Sequence, residues 1–142
     1  MKTVQQLLST KPVQIFSVTE QTSVLDALKV MMEKNISALL IVEGQELKGI
    51  FTERDYARKI VLHGRSSADT AIHKVMTAGP ITVLPSDGIN FCMEIMTEKH
   101  IRHLPVMEGA ELLGMVSIGD VVKFIIEDQQ QTISQLESYI NS

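Results

Sequence analysis

The sequence predicts an α+β fold in which two copies of a β-α-β-β-α unit pack with pseudo-two-fold symmetry. Three observations lead there. Residues recur at an offset of about 65 positions along the chain. Strand-like and helix-like patterns follow the same order in both halves. The chain has 142 residues and is 44% hydrophobic, enough for a shared core, whereas each half alone is too short to bury one comfortably.

The repeat runs without a gap from Ile15 to Ile60. Val18 matches Val83, Met31 matches Met96, and Glu33-Lys34 matches Glu98-Lys99. Ile36, Leu39, Gly49, Asp55 and Ile60 match Ile101, Leu104, Gly114, Asp120 and Ile125. The first unit is assigned to residues 10–67, the second to 74–130, and a helical tail to 131–142. Each unit opens on a short strand, Gln14–Val18 or Ile81–Leu84. A helix follows, capped by Thr22 or Ser23 in the first copy and by Asp87 in the second. Its apolar stripe is Val24, Leu25, Leu28, Met31 and Met32, repeated as Ile89, Met93 and Met96. A polar turn at Asn35 or His100 leads into Ser37–Val42 or His103–Met107. The turns Glu43-Gly44-Gln45 and Glu108-Gly109-Ala110 make hairpins with return strands Lys48–Phe51 and Leu113–Val116. A second helix starts at Thr52 or Ser117 and ends near Leu62 or Ile126. His63–Thr70 is a polar linker. In the tail, Ile133, Leu136 and Ile140 are spaced like a weak amphipathic helix that caps the fold or meets a partner.

Composition narrows the functions. Thirteen basic residues against 17 acidic ones give a net charge of −4, which argues against a nucleic-acid coat. The basic run Arg54, Arg58, Lys59, His63 and Arg65 reads as a solvated helix face, and with few aromatics base stacking has little support. No apolar stretch approaches the roughly 18 residues of a membrane span. The single cysteine excludes an intrachain disulfide, and a reducing, cytoplasmic setting is expected. Cys92 aligns with Ala27 on the buried helix face and reads as a core residue. His100 and His103 do not share a helix face, so no metal site is assigned. No nucleophile elbow, Walker loop, zinc-protease helix or dinucleotide fingerprint occurs, and no catalytic set is assigned.

The informative segments are Gly49-Ile-Phe-Thr52-Glu-Arg-Asp55 and Gly114-Met-Val-Ser117-Ile-Gly-Asp120. Each places a hydroxyl, then an aspartate, where a helix begins. One reading is a capping box that satisfies orphan amides. Aspartate is shorter than the usual glutamate, and is expected to reach back less well and to point outward. The other reading is a ligand site. A helix N-terminus favours an anion such as phosphate. An ionised carboxylate can accept from both hydroxyls of a ribose diol.

These motifs, together with Val75-Met76-Thr77 and Ile101-Arg-His-Leu-Pro-Val106, resemble those of a pair of CBS domains, a Bateman module. The resemblance covers Pro12 to Glu127 and is greatest to small stand-alone CBS-pair proteins. It implies a regulatory sensor that binds an adenosine-containing ligand (AMP, ATP or NAD) in clefts between the repeats, without catalysis. It implies a homodimer and a regulated partner protein as yet unknown. It places ribose and phosphate contacts on Thr52 with Asp55 and on Ser117 with Asp120. It places base contacts on Ser17, Val18, Ile81 and Thr82 and near Pro105, and phosphate contacts on Arg102 and His103. Arg54, a cation on the first turn of its helix, joins them as a candidate for ligand contact. The matching positions of the first copy, Ser37 and Ala38, carry no charge, and Gly119 stands where the first copy has Arg54, so the two clefts should be unequal. The alternative is a dimeric interaction scaffold with no nucleotide ligand.

Overall fold

The computed structural model describes residues 2–12 and 14–141. Val13, inside the first assigned unit, and Ser142, at the end of the tail, lie outside the described residues. The elements are α1 (Val4–Leu8), β1 (Ser17–Val18), α2 (Val24–Lys34), β2 (Ala38–Glu43), β3 (Glu46–Thr52), α3 (Glu53–Asp55), β4 (Thr77–Ala78), α4 (Ile89–Lys99), β5 (His103–Glu108), β6 (Glu111–Ser117) and α5 (Ile118–Asn141). A π-helical stretch, Tyr56–Val61, continues α3, and a 3-10 turn spans Ile72–Lys74.

Each copy is a hairpin backed by helices. β2 and β3 pair antiparallel with Ala38 opposite Thr52, and β5 and β6 pair with His103 opposite Ser117. β1 runs parallel to β2, and β4 closes the other edge against β3. The two helices α2 and α4 end alike: Asn35 and His100 both take the left-handed conformation at φ 55°, which stops a helix cleanly. At their starts they differ. The Ser23 hydroxyl accepts from the Asp26 amide at 3.1 Å. In the second copy Gly88, not Asp87, is the N-cap; the Asp87 carboxylate instead accepts from the Leu84 amide at 2.7 Å and holds the turn before the helix.

The opening strands are shorter than their sequence pattern suggests. Only Ser17–Val18 forms in the first copy. In the second, the Ile81–Leu84 stretch contributes a single parallel bridge, Val83 to Val106. The cause is visible in the pairing. The Leu40 amide donates to the Phe16 carbonyl at 3.3 Å, and the position matching Leu40 is Pro105, which has no N–H to donate.

Two clusters of buried side chains form, one under each hairpin. A third, Ala38, Leu40 and Ile50 against Leu112 and Met115, seals hairpin to hairpin, so the halves do share a face. The segment before the repeat and residues 72–75, just after the linker, cross between these clusters. Val4 and Leu7 of α1 are fully buried in the second copy's core. The Val4 amide donates to the Asp87 carbonyl at 2.9 Å, and the Ile89 amide to the Lys2 carbonyl at 3.0 Å. Conversely, Ile72 and Val75 enter the first copy's core, where the Ile72 amide donates to the Thr22 carbonyl at 2.8 Å. The expected second helix and tail of the second copy are one continuous helix, α5. Among the described residues, no helix is long and apolar enough to cross a membrane.

Candidate functional site

A cleft of about 790 Å³ opens between the two copies, within the roughly 300–1,000 Å³ typical of small-molecule sites. Its floor at one end is the start of α3. There Thr52 and Asp55 form a reciprocal capping box: the Asp55 amide donates to Thr52 Oγ1 at 3.2 Å, and the Thr52 amide donates to Asp55 Oδ2 at 3.0 Å. Aspartate therefore does reach back, contrary to the expectation drawn from its length, because the extended backbone of Thr52 turns the amide toward it. The second copy does the same, the Ser117 amide donating to Asp120 Oδ2 at 2.9 Å.

The other contacts of the two aspartates differ. Asp55 Oδ2 also accepts from the Thr52 hydroxyl at 3.2 Å, while Oδ1 accepts from the Thr77 hydroxyl at 3.1 Å and pairs with the Lys59 ammonium at 3.2 Å. Four donors thus fill the roughly four lone-pair sites of this carboxylate. Two of them come from the capping residue; Thr77 and Lys59 line the open cleft. Asp120 is met from the far end of the chain. Lys11 Nζ lies 2.7 Å from Asp120 Oδ2 and donates to the Met115 carbonyl at 2.8 Å. Burial raises the Asp120 carboxyl, but the Lys11 bond, the Ser117 amide and the Lys11 charge together hold it below the ordinary 3.8.

The cleft wall is cationic although the chain is acidic overall. Arg54, Arg58, Lys59, Lys99 and Arg102 face it, against Glu53 and Asp55. The π-helical stretch carries Arg58 and Lys59 to the same wall; such stretches are frequent at functional sites. Arg54 donates to the His100 carbonyl at 2.6 Å, the negative end of α4, which answers why a cation is tolerated on the first turn of α3. Neither Arg58 nor Arg102 enters an ion pair among the described residues. His103 Nε2 and Ser37 Oγ lie 3.2 Å apart across the two copies. Burial, with Arg102 adding to it and Asp120 and Glu53 opposing, keeps the imidazole below its ordinary 6.5, so His103 is a neutral polar group at neutral pH. The apolar part of the wall is Ile50, Pro80, Ile81 and Ile101.

Of the residues singled out in the sequence, the cleft gathers Thr52, Arg54, Asp55, Ile81, Arg102 and His103. Ser17 and Val18 lie on β1, paired with β2, Thr82 is exposed and Pro105 is buried in β5; none of these lines the cleft. Ser117 and Asp120 also lie outside it. Sequence reading missed Lys59 and Thr77 as partners of Asp55, and missed Lys11 altogether. The i, i+4 spacing of Asp55 and Lys59 was the one available signal. Cys92 is fully buried, and burial first, then the Asp87 charge, pushes its thiol up to about 11, which leaves it unreactive. Among the described residues, no group of three or more His, Cys, Asp or Glu side chains could hold a metal ion.

Comparison with known proteins bears on this arrangement. The CBS domain family model matches twice, at residues 4–62 and 72–127. The chain belongs to the CBS-domain family. Pairs of CBS domains are regulatory modules and are generally non-catalytic. The CBS domain-containing protein CBSX3, mitochondrial, of Arabidopsis thaliana is 42% identical over 127 residues, covering 86% of this chain and 62% of that protein; the chain therefore spans less than two thirds of that relative. The structure of a protein with CBS domains from Burkholderia ambifaria MC40-6 superposes with a TM-score of 0.86 at 50% identity, covering 90% of this chain and 96% of that one. CBSX2 in complex with AMP superposes with a TM-score of 0.76 at 24% identity, covering 91% of this chain and 99% of that one, a likeness of fold.

Proposed function

We propose that this CBS pair is a regulatory module that binds an adenosine-containing nucleotide, of the AMP, ATP or NAD kind, in the cleft between its copies and performs no chemistry on it. The observation that carries the reading is the cleft itself. A capped aspartate, a cationic wall and an apolar patch of Ile50, Pro80 and Ile81 converge on one space of about 790 Å³. In this reading the ribose diol takes over the places of the Thr77 hydroxyl and the Lys59 ammonium on Asp55 Oδ1. Lys59, once released, turns to the phosphate beside Arg58, Arg102 and Arg54, and the base rests on the apolar patch. A neighbour of the same fold carries AMP, which supports the ligand class. Because Asp120 lies outside the cleft and is held by Lys11, the reading places one ligand per chain, in the Asp55 cleft. Binding biases the partner-facing surface only as far as the ligand prefers one arrangement of the copies to another.

Calorimetric titration with AMP, ATP and NAD tests this. Saturation at one nucleotide per chain is expected. Asp55→Ala and Arg102→Ala should each weaken binding at least about tenfold, the scale of a lost charge-assisted hydrogen bond, while Asp120→Ala leaves it unchanged. If none of the three ligands binds, the interaction-scaffold reading takes its place.

A further inference from the structure

The last helix, α5, carries two stripes. Val121 is fully buried, and Ile118, Phe124 and Ile125 pack beside it on the second copy's core. The other stripe has no use in the fold. Val122, Ile126, Gln129, Ile133, Leu136 and Ile140 follow one another at alternating steps of four and three residues, the heptad pattern of a coiled-coil seam. The body supports α5 as far as Asp128, which pairs with Lys2 at 3.4 Å. From Gln129 to Asn141 every residue is exposed. That exposed stretch is about 20 Å long at the helical rise, and an isolated helix of about 13 residues is marginal in water. Its seam side chains are left in solvent: Ile133 is 54% exposed, Leu136 57% and Ile140 77%.

We infer that the α5 seam is an interface with a second copy of this chain, formed as a parallel two-stranded coiled coil. Two features of the seam select that occupant. Isoleucine fills the a positions (Ile126, Ile133, Ile140) and leucine the d position Leu136, the combination that favours two parallel strands; Val122, at the d position nearest the body, adds no such preference. The remaining d position is Gln129. In a parallel pair of identical chains Gln129 meets its own counterpart, and two amides can satisfy each other. An antiparallel pairing or an apolar partner protein would bury that amide unpaired, at a cost. The flanks agree, since Thr132 meets the other copy's Glu137 and no like charges oppose. The pairing sets the two CBS bodies side by side at the start of the coil.

Engineered cysteines in the full-length chain test the inference, because Cys92 is fully buried and stays out of the reaction. Leu136→Cys, at a d position, should form a covalent dimer on mild oxidation. Ser138→Cys, on the outer face, should not. Sedimentation of the unmodified chain should return the mass of two chains, and Leu136→Glu should raise the dissociation constant at least tenfold. If the CBS bodies also associate and mask that change, the crosslinking pattern decides. A monomeric chain, a three-chain mass, equal crosslinking at both positions, or none at position 136, as an antiparallel coil would give, overturns the inference.

Discussion

Asp120 and Asp55 occupy matching positions and make the same capping bond, yet each is neutralised by a different lysine. For Asp55 it is Lys59, one helical turn onward. For Asp120 the matching position is Phe124, which carries no charge, and Lys11 supplies the cation from 109 residues away. The consequence is a pH dependence. The folded value of Asp120 lies below 3.8, so its contribution to stability is complete above pH 3.8 and is lost as the pH falls from there through the folded value. Lys11→Met removes the principal cause of that depression. The Asp120 carboxyl should then titrate at a higher pH, and the acid-unfolding midpoint should rise with it. Carboxyl NMR through the titration and circular dichroism of the melt provide the check; an unchanged Asp120 titration in the variant would falsify the role given to Lys11. The hydroxyl–aspartate pairs were legible in the sequence because capping is a local, short-range pattern. Their lysine and threonine partners were less so, because Lys11 and Thr77 reach them through tertiary packing.

Between elements, β3 approaches the chain entering β4 closely enough to leave no room for a side chain at Gly49. A Cβ on Gly49 would lie 2.6 Å from Met76 Sδ and 2.8 Å from the Thr77 carbonyl oxygen. The second contact is backbone and cannot swing aside. Gly49→Ala should therefore destabilise the chain by about 1–3 kcal/mol, the range for overpacking, and should push Thr77 away from Asp55. Gly114→Ala is the matched control. Its Cβ would meet only Leu8, at 3.3 Å from a side-chain methyl, so its cost should be smaller. Urea unfolding of the two variants measures the difference, and equal midpoints would remove the argument. The repeat predicted both glycines but not their inequality, which depends on what crosses behind each strand. The hairpins and both αL turns were legible for the same reason as the repeat itself: apolar alternation and turn residues recur in register. The opening strands were over-read because a two-residue pairing carries the same apolar pattern as a longer one, and the effect of Pro105 on its neighbour appears only once the pairing is known. The separation of α5 into helix and tail was likewise a reading of composition, since the glutamine-rich run keeps its helical geometry without a buried face.

For the molecule as a whole, the decisive feature is the exchange of lead segments. The N-terminal helix completes the core of the second copy, and residues 72–75, just after the linker, complete the core of the first, so neither copy holds all of its own core within its own repeat. The ungapped repeat begins only at Ile15 and so did not announce the exchange, although Val4 and Leu7 recur 68 positions on as Ile72 and Val75. The exchange predicts that damage at the N-terminus is felt in the second copy. Leu7 is 1% exposed and sits among Val83, Ile89, Leu104 and Val116. Leu7→Ala should cost about 2–5 kcal/mol, the range for a buried leucine that leaves a cavity. Unfolding should remain a single transition, because the third cluster of Leu40, Ile50, Leu112 and Met115 ties the hairpins together and the straps couple both cores. Urea denaturation followed by far-UV circular dichroism gives the cost, and amide exchange gives its location. Protection should fall in β5 and β6 as much as in β2 and β3. If the variant instead unfolds in two steps, with the first hairpin keeping its protection after the second has lost it, the copies are separable and the exchanged segments serve only to cover surface.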